Sequence, residues 1–130
     1  MERDIKFSLL FQHDSTGNIV EKKWTLYELL DGVKENTMPP TWHLIVARQY
    51  TGLKDKNGRD IFEGDIVREQ RKRFKDKHFV LKWNNGIGSY TFKPVDKNAT
   101  SWPSFNTGTV ENLEVVGNIY ENPELLKEGE

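Results

Sequence analysis

The chain's acidic and imidazole side chains are the first place to look for chemistry, and each group can be held against the spacing its chemistry demands. Asp55, Asn57 and Asp60 invite comparison with a calcium loop. Such a loop needs glycine at its sixth position and a bidentate glutamate at its twelfth. Counted from Asp55, those positions hold Asp60 and Ile66, so the match fails and a hydrated turn is the preferred reading. Asp60, Glu63 and Asp65 surround Gly64 and could hold magnesium for phosphodiester cleavage. Carboxylates at a glycine turn also serve local hydrogen bonding, and no lysine or histidine stands at an informative spacing beside them. A metal-dependent hydrolase is therefore the least favoured function class. His13, His43 and His78 are isolated, with no HExxH pattern and no spacing that points to zinc. Nucleophile-elbow, P-loop and GxGxxG patterns are absent, and Gly86-Ile87-Gly88-Ser89 reads as a hairpin turn. The chain contains no cysteine, which removes thiol nucleophiles, thiolate metal sites and disulfides together. The expectation is a non-enzymatic protein with no catalytic residues, no metal and no cofactor.

The strongest local charge feature is Arg68, Arg71, Lys72, Arg73, Lys75 and Lys77, six cations in ten residues, with Phe74 available to stack. A segment of this kind, 68–78, could bind nucleic-acid phosphates and a base. The competing expectation, which is preferred, is a solvated loop between strands whose charges discourage edge pairing. Across the chain, 19 basic side chains face 20 acidic ones, a net charge of −1. That balance argues against nucleic-acid binding by global electrostatics. The acidic tail, 121–130, offers the basic loop a partner between subunits.

These side chains need elements to position them. Ile5 to Phe11 and Ile19 to Trp24 read as two strands around a turn cluster, His13 to Asn18. Thr25 is placed to cap a short helix through Leu30, with Leu26, Leu29 and Leu30 on one face. Asn36 to Pro40 is a breaker segment and the expected subdomain boundary. Trp42 to Tyr50 is the next strand, and Asn57-Gly58 marks a hairpin between Leu53 and Ile61. Ile66 to Gln70, His78 to Trp83, Ser89 to Lys93 and Leu113 to Tyr120 continue as a meander. Phe79, Leu81 and Trp83 share one face, as do Tyr90 and Phe92, so alternation predicts an aromatic layer inside. Trp102 and Phe105 fall in a long irregular segment, and Leu125 and Leu126 are possible docking points in the tail.

A chain of 130 residues fits one domain and buries enough surface to fold without staples. No stretch approaches the roughly 20 apolar residues of a membrane span, and Met1 to Phe11 lacks the apolar run of a secretory signal. A location in the bacterial host cytoplasm is expected. Short strands with glycine at the bends predict a mainly β fold (α+β as the variant). Its core would be an SH3-like barrel over about residues 50–120, with a smaller N-terminal β/α subdomain over about residues 1–45.

Tyr50 to Val67, with its run Gly52-Leu53-Lys54-Asp55-Lys56-Asn57-Gly58-Arg59-Asp60-Ile61-Phe62-Glu63-Gly64-Asp65-Ile66-Val67, resembles the signature of the YopX family. Val116-Gly117-Asn118-Ile119-Tyr120-Glu121-Asn122-Pro123-Glu124-Leu125-Leu126 is similar to that family's carboxyl end. Trp83 lies between the blocks on a matching strand, and the resemblance spans nearly the whole chain. It implies a phage or prophage origin and an SH3-type barrel, and it carries over no catalytic residue. Leu9 to Trp42 matches weakly, and the Arg71-Lys72-Arg73 loop looks peculiar to this member.

Read physically, the signature is a piece of scaffold. Gly52, Gly58 and Gly64 stand where bends demand conformations that larger residues resist. Asn57 supports the turn, and Leu53, Ile61, Phe62, Ile66 and Val67 supply core. On this view Gly64→Val lowers stability substantially and Asp55→Ala is nearly neutral. The leading functional expectation is a phage-encoded accessory module that binds a protein partner or self-associates. Nucleic-acid binding through the basic loop is the alternative.

Overall fold

The computed structural model of the chain describes residues 4–32, 38–69 and 77–127. The fold is mainly β and divides into two compact units, 1–52 and 53–130. The division falls inside a strand rather than at the Pro39-Pro40 breaker.

In the first unit, β1 (Lys6–His13) pairs antiparallel with β2 (Ile19–Thr25) and β3 (Trp42–Lys54). The β1–β2 turn is built around the imidazole of His13, whose Nδ1 accepts the backbone N–H groups of Ser15 and Thr16, each at 3.2 Å. Helix α1 (Leu26–Gly32) starts where Thr25 and Glu28 exchange side-chain-to-backbone bonds, both 3.1 Å, a capping box. With two turns only, it tucks Leu26 and Leu29 partly in and leaves Leu30 exposed. Leu10 is fully buried, and Phe11 meets Trp24 edge-on at 6.5 Å. The buried guanidinium of Arg48 donates to Ser8 Oγ at 3.0 Å and to Glu21 Oε2 at 3.1 Å. A charge there must be paired, because burying it alone costs several kcal/mol.

The second unit opens with the end of β3 and the tight turn to β4 (Asp60–Phe62). Strands β5 (Asp65–Glu69), β6 (His78–Asn84), β7 (Ser89–Pro94) and β8 (Leu113–Asn118) follow. A four-residue helix, α2 (Thr107–Val110), precedes β8 and is capped by Asn106, and a 3₁₀ turn (Pro123–Lys127) follows it. Strand β5 lies between β6 and β8, with Ile66 opposite Val80 and Val67 opposite Phe79, the neighbours the alternation requires. Ile61, Val67, Phe79, Leu81, Phe92 and Leu113 form the heart of its core, and Phe105 packs over Phe92. Each such side chain contributes about 1.5–3 kcal/mol on burial.

One expectation is not confirmed and another is corrected. Among the described residues the strand orders are β2-β1-β3-β4 and β7-β6-β5-β8 and no closed sheet is found, so the SH3-like barrel is not confirmed. Closure would need β7 and β8 to pair directly or through a further strand, and the chain from Val95 to Asn112 between them is turn, irregular segment and α2. Trp83 does not complete the inner aromatic layer either, being 48% exposed. Strand β6 pairs with β5 only over 78–80 and runs on to 84, so its far end has β7 alone beside it.

Candidate binding groove

The family-like signature folds into the turns that hold the second unit's sheet. Gly52, Gly58 and Gly64 all have positive φ, at 94°, 79° and 81°. Gly64 is the most constrained. Its N–H donates to the Leu81 carbonyl at 2.9 Å, its own carbonyl accepts from Ile119 at 3.0 Å, and a Cβ there would come within 3.1 Å of the Tyr120 ring. Ile61, Ile66 and Val67 are fully buried, Leu53 partly so, and Asn57 sits exposed at the turn. Asp65 is buried and accepts the Phe62 N–H at 2.8 Å.

Asp55 overturns the hydrated-turn reading. It is buried, and its Oδ1 accepts the N–H groups of Asn57 (2.8 Å) and Arg59 (2.9 Å). Its Oδ2 accepts that of Val115 on β8 at 2.9 Å. One carboxylate thus organises the hairpin and ties it to the strand that begins the second family-like block. Beside it Lys56 N–H donates to the Leu113 carbonyl at 2.9 Å.

The other candidate groups are dispersed. Asp60 pairs with Lys54, Asp65 serves the β4–β5 turn, and among the described residues no three His, Asp or Glu side chains gather as a metal site. His43 contacts Asp14 at 2.7 Å, His13 serves its own turn, and His78 begins β6. Of the basic segment, Arg71, Lys72, Arg73, Phe74 and Lys75 lie outside the described residues. Its two described members are ion-paired, Arg68 with Glu114 at 2.6 Å across the β5–β8 ladder and Lys77 with Asp96 at 3.4 Å.

A different surface of the second unit carries the features of a binding site. An open groove of about 1070 Å³ runs over β6 and β7 and along the segment after them. Trp83, Ile87 and Trp102 border it, 48%, 66% and 50% exposed. Trp83 is held edge-on against Tyr90 at 5.1 Å and by its Nε1 donating to Asn85 at 2.7 Å. Lys82, Lys93 and Lys97 also line the groove, and among the described residues none of them pairs with a carboxylate. Asp96 is the acidic member. The Asn98 backbone N–H, donating to it at 2.9 Å, holds its carboxyl below the ordinary aspartate range. Partial burial opposes that effect, and Lys77 assists it. A smaller space of about 270 Å³ continues between Ser89–Thr91 and Trp102–Phe105. Sequence reasoning missed this surface. Its one available signal was the alternation that sets Lys82 and Lys93 opposite the buried Leu81 and Phe92.

The architecture defines a protein of two open antiparallel sheets with a groove on the second, and comparisons with known proteins specify the class further. The profile of the YopX protein family matches residues 8–127, and the chain belongs to that family. A search of curated proteins gave no match. Among solved structures, the crystal structure of protein EF1440 from Enterococcus faecalis is similar in fold, with a TM-score of 0.58 and 23% identity. The match covers 97% of this chain and 100% of that one.

Proposed function

We propose that this YopX-family chain is a phage- or prophage-encoded accessory module that binds a protein partner in the host cytoplasm and does no catalysis of its own. The observation that carries the proposal is the groove bordered by Trp83 and Trp102. Large indoles left half-exposed around a concavity mark interaction surfaces, because they offer much apolar area at small entropic cost.

Nucleic-acid binding is the second reading, favoured by the lysines of the groove and by the Arg71-Lys72-Arg73 run. It ranks lower because Arg68 and Lys77 already hold carboxylates and the net charge is −1. The deciding experiment immobilises the full chain and its Trp83→Ala/Trp102→Ala variant, exposes both to host lysate, and measures retention of labelled DNA and RNA alongside. A protein retained by the wild type and lost by the variant, with oligonucleotides passing through, is the expected result. Retention of oligonucleotide at physiological salt, with no groove-dependent protein, would reverse the ranking.

A further inference from the structure

Strand β2 ends the first unit's sheet, paired with β1 alone among the described residues. The ladder shows which of its backbone groups face away from β1. At one end His13 N–H donates to the Asn18 carbonyl, and at the other Leu26 N–H donates to the Ile5 carbonyl, each at 2.9 Å. Bonded pairs alternate in an antiparallel ladder, and both ends fit the same register. Val20, Lys22 and Trp24 therefore turn their amides and carbonyls to β1, while Ile19, Glu21 and Lys23 turn theirs outward. Thr25, next in the outward series, gives its amide to the Glu28 carboxylate at 3.1 Å, and the edge ends there.

The middle of this edge, Glu21, Lys22 and Lys23, reaches solvent. Its residue order is self-complementary. An antiparallel second copy must set outward groups opposite outward groups, so a two-fold axis has to pass through a residue. An axis at Glu21 or at Lys23 puts two like charges face to face in a bonded pair. An axis at Lys22 instead sets Glu21 opposite Lys23 twice and Val20 opposite Trp24 twice, with Lys22 opposite itself as the single like-charge contact.

We propose that the partner of this edge is a second copy of the chain, the two β2 strands pairing antiparallel about an axis at Lys22 and joining two sheets into one. Glu21 exchanges backbone bonds with Lys23 of the other copy, and Val20 packs on the other copy's Trp24. Opposite charges and aromatic–β-branched pairs are the cross-strand combinations that favour pairing. Within its own copy Glu21 already faces Arg48 at 3.1 Å and Lys23 at 3.9 Å, so the second lysine extends an existing alternation of charge. Spanning Val20 to Trp24 on each side, the contact belongs with small, transient interfaces. The inference goes beyond the groove reading and uses none of the groove's residues. The bland alternative is that the two lysines only protect a bare edge from pairing. That alternative predicts a monomer at every concentration.

The test follows the full-length chain from micromolar to millimolar concentration by sedimentation velocity and by amide hydrogen exchange. A dimer that grows with concentration is expected, with exchange at the Glu21 and Lys23 amides slowing as it forms. The Val20 and Lys22 amides, already turned to β1, should hardly change. Two variants, each checked by melting, bracket the contact. Lys22→Thr removes the like-charge pair and should tighten the dimer about threefold to fivefold, a gain that loss of folding cannot mimic. Lys23→Glu sets like charges together at both bonded pairs and should weaken the dimer about tenfold or more. A monomer at millimolar concentration, a dimer whose Glu21 and Lys23 amides exchange as in the monomer, or a Lys22→Thr variant no tighter than the wild type would each overturn the proposal. Trp83→Ala/Trp102→Ala should dimerise as the wild type does, whatever becomes of groove binding. A dimer lost with those indoles would put the contact elsewhere and overturn the proposal too.

Discussion

The carboxylate of Asp55 reaches across 60 residues of sequence to accept the backbone N–H of Val115 at 2.9 Å. Its other oxygen closes the turn at Asn57 and Arg59. The hairpin of the first family-like block and the strand entering the second are therefore held by one side chain. Replacing it exposes unequal debts. Asn57 and Arg59 are at the surface, where water can take over their amides, but Val115 is buried. Asp55→Ala is expected to destabilise the chain by about 2–3 kcal/mol, the cost of orphaning a buried donor together with losing the turn. Asp55→Asn should cost less, because one carbonyl oxygen remains. Urea unfolding of the pair measures both, and a neutral Asp55→Ala would show that the turn does not depend on the carboxylate.

Gly64 combines a positive φ with close neighbours, so added side-chain atoms meet strain and crowding together. Gly64→Val should cost about 1–3 kcal/mol, and Gly64→Ala about 1 kcal/mol. Gly117 differs. A Cβ there would drive into the side chain of Asn122, whose Oδ1 accepts the Asn118 N–H at 3.1 Å. Gly117→Ala should therefore be destabilising in the wild type and markedly less so beside Asn122→Gly. Thermal melting of the four-member cycle reads that coupling, and simple additivity would contradict it.

In the first unit, Arg48 is buried while its partner Glu21 keeps about a quarter of its side chain in water, at 28% exposed. Removing the acid withdraws a carboxylate from a buried guanidinium, whereas removing the cation leaves an acid that can still hydrate. Glu21→Ala is thus expected to cost about 2–3 kcal/mol, at or below the low end for a broken buried pair, and Arg48→Met less. Denaturant unfolding that ranks the two variants the other way would show that packing of the arginine stem outweighs its charge.

Asp96 titrates low because the Asn98 amide and Lys77 favour its charged form. A depressed folded-state pKa gives stability that is present above the unfolded aspartate value and lost as pH falls through the folded one. The carboxyl resonance of Asp96 should therefore have its midpoint below that of a free aspartate. Lys77→Ala should raise it only part of the way, because the amide remains. A midpoint at or above the ordinary range would show that the turn at 96–98 is not formed.

Local chemistry was legible in the residues. The Asn57-Gly58 turn, the Thr25 cap and the pairing of Ile66-Val67 with Phe79 all follow from residue type and alternation. Tertiary consequences were not. Asp55 looks like any acid in a polar turn until β8 arrives to be bonded, and nothing local announces a partner 60 residues away. Barrel closure likewise depends on what returns between β7 and β8, and strand periodicity is silent about an irregular segment. Trp102 sits in that segment with no period to assign it a face, so the groove it borders stayed hidden. The charges of the basic run are contiguous in sequence and so legible there, while Lys82, Lys93 and Lys97 come to line one groove only in space.

That contrast sets the most direct test of the account, which places binding in the groove and scaffold duty in the signature. Retention of the captured protein partner is measured for the wild type, for Trp83→Ala/Trp102→Ala, and for Arg71→Ser/Lys72→Ser/Arg73→Ser, at matched concentration and with the melting temperature of each. The groove variant is expected to melt near the wild type and lose the partner, and the loop variant to keep both. A groove variant that still holds the partner, beside a folded loop variant that has lost it, would contradict the account.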